Sequence, residues 1–265
     1  MPRKIVVGTV IAVIIGLALG FSYYVSQINA LPQSSYSIFD PLPSPTPADR
    51  ILVVAPHQDD ETIGVGGYII EAVRAGATVE VIFATNGNKH GLKLARENEA
   101  ENALKTLGVP KARIIFDNFP DGDLSSQKSF RPEIKSQIDV YRPTKVFTTL
   151  PEDLHPDHAA CGQAVAAIVK EEPGAFTPEF FLVHYHRYPR PIGDDASNSY
   201  LLPPPALLKS NYDWQVSPLT AAEQNQKNQA LKQYKTQTSD INPVLKQLVL
   251  SFDQKNELFA TPESP

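Results

Sequence analysis

The chain has 265 residues, a formal net charge of −5 and one cysteine. Its length suits one sizeable domain with a core of its own. The acidic balance excludes a nucleic-acid binder that works through a basic stripe, and the lone Cys161 excludes an internal disulfide or a cysteine-rich zinc site.

From the N-terminus, residues 5–25 (IVVGTVIAVIIGLALGFSYYV) are uncharged and largely apolar, the length of a bilayer-spanning helix. Arg3 and Lys4 precede that run, and no further Lys or Arg occurs until Arg50. This predicts a cytoplasmic tip and membrane anchor over 1–25, with everything after it extracytoplasmic. A cleaved signal peptide, giving a secreted protein, is the rival reading, although neither Ala18-Leu19-Gly20 nor Ala30 offers a clean A-x-A site. Residues 26–48 hold Ser, Pro and Thr without periodicity and read as an extended spacer. A folded domain is expected over 49–255, with a tail over 256–265.

Within the domain, ILVVA (51–55) reads as a short buried strand, and 62–75 as a helix ended by Gly76. TVEVIFAT (78–85) is a second strand, followed by the loop NGNKHG and a helix over 92–108 that stops at Gly108. RIIFDN (113–118) is a third strand, leading through FPDGDL to a helix over 129–143. KVFTTL (145–150) is the fourth, followed by EDLHPDH and an alanine-rich helix; EFFLVHYHRY (179–188) is a late strand. This alternation predicts a Rossmann-like α/β fold, a mainly parallel sheet with helices on both faces. Ligands bind beyond the carboxyl ends of such strands, so the four polar loops should open on one edge.

PHQDDE (56–61) places three acids and a histidine at the end of an apolar strand, with no Lys or Arg among them. Such a cluster repels itself unless a cation sits within it. His57 and Asp60, three residues apart in a turn that opens a helix, share one side and suit zinc. A third ligand must come from elsewhere, and HPDH (155–158) offers two histidines, His155 and His158. Three protein ligands leave a position for water, as in catalytic zinc sites. Adjacent Asp59 and Asp60 cannot both face the metal, which leaves one free as a base.

PHQDDE resembles the P-H-P-D-D-E motif, and HPDH the H-x-D-H motif, of the PIG-L/LmbE-like zinc-dependent N-acetylglucosaminyl deacetylases. ARENEAENALKTLGV, FPDGDL and KNQALKQYKTQ add weaker matches, so the resemblance covers roughly residues 49–240. Gln58 departs from it, standing where the family has proline. The resemblance implies Zn2+ held by His57, Asp60 and His158, with Asp59 as general base. It implies that His155 steadies the oxyanion and protonates the leaving amine, tuned by Asp157, and that Arg96 and Asp121 meet sugar hydroxyls. The expected activity is removal of an N-acetyl group from an N-acetylglucosamine-type amino sugar in a glycoconjugate or surface glycan. A non-catalytic zinc-containing glycan-binding protein and a zinc hydrolase of another amide are the alternatives; binding alone needs neither the base nor the acid.

Other residues have plainer readings. Glu61 is a structural hydrogen-bonding residue, Cys161 a small core residue, and Asp157 also suits a helix cap. His184 and His186 share one strand face as ordinary buried or edge histidines, and His90 is a surface histidine. Arg187 and Arg190 read as solvated. GVGG (64–67) lacks the dinucleotide spacing, and the acids ahead of it would repel a pyrophosphate.

Overall fold

The apolar runs and helical segments fold in the expected alternation. The structure, a computed structural model, describes residues 3–28, 30–88, 91–191, 194–238 and 243–263. In chain order the elements are α1 (Arg3–Ile28), β1 (Asp40–Pro41), β2 (Arg50–Ala55), α2 (Asp60–Ala75), β3 (Thr78–Thr85), α3 (Lys93–Leu107), β4 (Ile114–Phe119) and α4 (Phe130–Tyr141). They continue as β5 (Lys145–Thr149), α5 (Pro156–Glu171), β6 (Thr177–Phe181), β7 (Tyr212–Pro218), α6 (Ala221–Leu231), α7 (Lys235–Thr238), α8 (Pro243–Leu250) and β8 (Asn256–Pro262).

One eight-stranded sheet has the order β1-β7-β8-β6-β5-β2-β3-β4. β2 lies inside it, parallel to β3 and β5, with β4 and β6 continuing the parallel set on either side. Residues Ile51–Ala55 are fully buried, which is why that strand reads as a continuous apolar run rather than an alternation. Two helix groups, α2–α3–α6 and α4–α5, cover the sheet. α3 ends where expected, at Gly108 with φ 96°, a left-handed cap that a side chain would strain.

The segment expected as a spacer, 26–48, contributes β1, which pairs in parallel with β7 and brings the buried Leu42 onto the core. The expected tail, 256–265, is corrected too: β8 is an interior strand, antiparallel to β6 and β7. The reason is burial. Phe259 packs 5.1 Å from the Phe147 ring and 6.1 Å from Tyr68, joining β8 to β5 and α2 in one aromatic cluster. The late strand is shorter than expected, stopping at Phe181, because the amides of Val183 and His184 leave the sheet to bond Asp153.

The membrane anchor expected over residues 5–25, and with it the extracytoplasmic placement, is corrected: among the described residues no helix is long and apolar enough to cross a membrane. The side chains of residues 5–8, 10 and 11 lie outside the described set. The C-terminal half of α1 meets the domain, with Arg187 Nη2 donating to Tyr24 Oη at 3.1 Å.

β6 carries one acid into the core. Glu179 is 2 % exposed and accepts from Thr261 Oγ1 at 2.6 Å. Burial pushes its carboxyl from 4.5 up to about 7. The native state therefore holds this proton more tightly than the unfolded chain, and stability falls as pH rises between those two values, by about 3 kcal/mol in all. Glu179→Gln should exceed the parent in stability by about 1–3 kcal/mol at pH 8 and match it near pH 4.5. Urea unfolding at the two pH values reads this directly; a parent–variant difference that does not move with pH would contradict it.

Candidate active site

The turn between β2 and α2 is riveted to its neighbour. Gln58 Nε2 donates to the Thr85 carbonyl at 3.1 Å, while the Thr85 amide and hydroxyl return bonds to the Pro56 carbonyl at 3.0 and 2.9 Å. Where the resembled motif has proline, this chain fixes the turn by side-chain bonds to β3. Asp59 follows with φ 135°, a strained position for a non-glycine residue, costing of order 1–3 kcal/mol. Arg96, from α3, donates to the Gln58 carbonyl at 2.9 Å and lies 3.6 Å from Asp59 Oδ1.

Three donor atoms converge beside it. His57 Nδ1 lies 3.3 Å from Asp60 Oδ2 and 3.2 Å from His158 Nε2, and Asp60 Oδ2 lies 3.2 Å from His158 Nε2. Ligands about 2.0–2.1 Å from a tetrahedral zinc sit ~3.3 Å apart, so this triangle has the edge length of such a site. The far nitrogens face carboxylates: His57 Nε2 bonds Asp157 Oδ2 at 3.1 Å and lies 3.5 Å from Asp121 Oδ1, and His158 Nδ1 lies 3.4 Å from Asp153 Oδ2. That is the outer support metal-bound imidazoles take. Wider donor groups overlap it, namely His57–His155–His158, Asp153–His158–His184 and His57–Asp121–Asp157, each within 4.8 Å. The last two are built on the far nitrogens and their supporting carboxylates.

The electrostatics separate the two adjacent aspartates. Burial opposes ionisation of Asp60, but the His158 and His57 rings outweigh it and hold its carboxyl well below the usual range. Burial and the Asp60 charge instead push Asp59 up to about 7. Burial would lower His158, yet the Asp60 and Asp153 carboxylates keep it at about 9. His155 goes the other way: burial, then the neighbouring His158 and His57, drive it down to about 4. It is neutral, and since Nδ1 accepts the Asp157 amide at 3.3 Å, its proton is assigned to Nε2.

All eight residues singled out from the sequence meet here. His57, Asp59, Asp60, Arg96, Asp121, His155 and His158 line one cavity of about 840 Å3. Asp157 lies behind it; its carboxylate turns to His57 and to the amides of Gly122 and Leu124 rather than to His155, and His155 itself is the helix cap of α5. Glu61 is structural: buried, it accepts from Tyr234 and Thr62 hydroxyls and from the Asp59 amide. His90 lies outside the described residues. Asp153 escaped the sequence reading: it accepts the amides of His155, Val183 and His184 while facing His158. His184, read from the sequence as an ordinary buried or edge histidine, lines the cavity with its ring 4.7 Å from His158. The sequence signal for Asp153 was its place inside EDLHPDH, an acid two residues before a histidine.

With this geometry in view, part of the chain is similar to known proteins. Residues 52–169 match the family model described as PIG-L, GlcNAc-PI de-N-acetylase. Residues 52–169 form a PIG-L family domain. The PIG-L domain thus runs from β2 into α5 and contains both histidine–aspartate motifs, whereas the cavity wall made by 183–184, α7 and α8 lies beyond it. A probable N-acetyl-alpha-D-glucosaminyl L-malate deacetylase 2 of Bacillus subtilis is 29% identical over 130 residues, covering 44% of this chain and 59% of the relative. A diacetylchitobiose deacetylase of Thermococcus kodakarensis is 32% identical over 125 residues, covering 43% and 46%. The chain therefore spans about half the length of these curated relatives. The fold resembles a solved deacetylase of the teicoplanin biosynthetic pathway, with TM-score 0.60 and 21% identity over 80% of this chain and 97% of that one. That likeness covers the mixed α/β sheet beyond the PIG-L domain.

Proposed function

We propose that the protein is a zinc-dependent hydrolase that removes the N-acetyl group from an N-acetylglucosamine-type amino sugar, borne on a glycoconjugate. The observation that carries this reading is the 3.2–3.3 Å triangle of His57, Asp60 and His158 donors opening on a cavity that also holds Asp59 and His155. The relatives' names point to the same substrate class. The catalytic unit runs from β1 to β8, because both belong to the sheet that builds the site.

His57, Asp60 and His158 are the residues that would hold the metal. Zinc supplies Lewis acidity, acidifying a water towards neutral pH and polarising the amide carbonyl. Asp59 takes a proton from the attacking water as the C–O bond forms. His155, neutral and donating through Nε2, stabilises the charge that develops on the carbonyl oxygen. Asp59 then passes its proton to the amine nitrogen as the C–N bond breaks, leaving acetate and the free amino sugar. A neutral imidazole has no proton to spare for the amine, so the acid step falls to Asp59 rather than to His155 as the resemblance implied. Arg96 orients Asp59 through its 3.6 Å approach.

The test is acetate release from a panel of N-acetylglucosamine conjugates by metal-loaded protein. Release from sugar conjugates supports the reading; sugar binding without release would make the protein a glycan binder, and release from other amides alone would make it a different hydrolase. Asp153 gives a separate check. Asp153→Asn should weaken Zn2+ affinity about 10–100-fold, because His158 loses the carboxylate that orients its ring. Competition against a chromophoric chelator measures this, and unchanged affinity in a folded variant would remove Asp153 from the metal's support.

A further inference from the structure

Asp59 holds an unusual backbone, and its bonds show what maintains it. At φ 135° its N–H and carbonyl point in directions that a non-glycine residue rarely combines. The carbonyl is fixed by the first turn of α2, accepting from the Thr62 amide at 3.1 Å and the Ile63 amide at 2.9 Å. The N–H is fixed by a side chain, donating to Glu61 Oε2 at 3.2 Å. Glu61 is itself held by its other oxygen: Oε1 accepts from the Thr62 and Tyr234 hydroxyls. Without an anchored acceptor the Asp59 amide is free to turn, and a strained residue relaxes towards negative φ.

Tyr234 is the member of this set that comes from elsewhere in the chain. It stands 173 residues beyond Glu61, in the turn between α6 and α7 and outside the PIG-L domain. Tyr234, Glu61 and Thr62 are all fully buried, so the bond is not exchanged for one to solvent. Burial, then the Glu61 charge, push the phenol well above its ordinary range, so it keeps its proton and donates. The Tyr234 carbonyl accepts the Gln237 and Thr238 amides at 3.0 and 2.9 Å and so opens α7. Thr236 of α7 is pinned to Glu99 of α3 by bonds of 3.0 and 2.6 Å. Arg96, one turn earlier on α3, is the residue that faces the Asp59 carboxylate. One short segment thus braces both ends of Asp59, its amide through Glu61 and its carboxylate through α3.

We propose that Tyr234 is a positioning residue for the deacetylation: its hydroxyl anchors Glu61, and Glu61 holds the Asp59 backbone so that the Asp59 carboxylate faces the cavity. This deepens the deacetylase reading and rests on it. Tyr234 does not line the cavity and acts only through Glu61. A tyrosine that merely fills the core predicts different kinetics.

The experiment is Tyr234→Phe in the zinc-loaded full chain, which removes one oxygen and keeps the ring. The kcat for acetate release from N-acetylglucosamine conjugates should fall about 10–100-fold, while KM and zinc affinity stay within about twofold of the parent. In the Asp59→Asn background the same change should cost less than about twofold, because no base remains to be misplaced. Tyr68→Phe is the control. It strips a buried hydroxyl from α2 itself, one bonded to the Pro43 carbonyl and Lys145, and should leave kcat within about twofold. Should the single variant fold poorly, the comparison moves to Glu61→Gln against Glu61→Gln/Tyr234→Phe, where no buried charge is left short of a donor, and the same loss is expected between them. Unchanged kcat on removing the Tyr234 hydroxyl overturns the proposal. So does a loss carried by KM or zinc affinity, or one that recurs in full in the Asp59→Asn background or in Tyr68→Phe. If the parent itself releases no acetate, the deacetylase reading fails, and crystal structures of parent and Tyr234→Phe decide the positioning by itself. Asp59 should leave its positive φ in the variant; an unchanged φ overturns the proposal.

Discussion

Asp59→Asn is expected to lower kcat for acetate release by about 10²–10⁴-fold while the protein still takes up one equivalent of zinc. The two halves of that outcome have different structural causes. Asp60, not Asp59, closes the donor triangle with His57 and His158, so the metal keeps its three ligands. Asp59 sits at φ 135°, lines the cavity and faces Arg96, and Asn there keeps the shape but cannot take a proton. His158→Ala should lose metal and activity together, because its Nε2 is a corner of the triangle. Metal analysis beside initial rates separates the two variants. Full activity in Asp59→Asn would remove the base from the mechanism.

The second large effect concerns the frame behind the site. Lys227→Met is expected to destabilise the fold by about 3–5 kcal/mol, read from urea unfolding at pH 7. Lys227 and Glu257 are each 1 % exposed at the side chain and pair at 2.7 Å. Their polar bonds are unusual in being threaded into α2. Gly67 N–H and Ile63 C=O are the i, i−4 pair that an unbroken helix joins; here Glu257 accepts from Gly67 at 2.6 Å and from Tyr68 at 2.9 Å, while Lys227 donates to Ile63 at 2.9 Å. Methionine matches the lysine stem in volume, yet it leaves a buried carboxylate without its counter-charge. The double variant Lys227→Met/Glu257→Gln should recover part of the loss. A single variant within about 0.5 kcal/mol of the parent would contradict this account of the pair.

Close packing against the same helix explains GVGG, which had no positive reading in the sequence beyond the rejected dinucleotide motif. A side chain at Gly64 would strike the Phe181 ring, and one at Gly67 would strike Leu219. The glycines let β6 and the segment ahead of α6 approach α2 closely.

The parallel half of the fold was legible because its signals are local. ILVVA, TVEVIFAT and KVFTTL are short buried runs bounded by glycine or polar turns, and each is a strand. Strand order then gathers PHQDDE, FPDGDL and EDLHPDH at one edge, and the cavity holds residues from all three. What stayed hidden depends on partners far along the chain. β8 is a seven-residue strand whose place between β6 and β7 is set by packing against Phe147 and Tyr68, not by its own pattern. β1 is two residues long and exists only through β7. Asp157 looked paired with His155, its neighbour in sequence, but its carboxylate reaches His57, a hundred residues away. The apolar run near the N-terminus was the reverse case, a strong local signal that the described helix does not sustain as a membrane span.

The central claim, that a metal held by His57, Asp60 and His158 works with Asp59 to cleave an N-acetyl amide, is tested most directly by titrating metal-free protein with Zn2+. The readout is acetate released from N-acetylglucosamine conjugates. Release should rise linearly and level off at one equivalent in the parent, with His158→Ala inactive throughout and Asp59→Asn binding the same equivalent without turnover. Full release by protein stripped of metal, or none by protein carrying its full equivalent across the panel of conjugates, would contradict it.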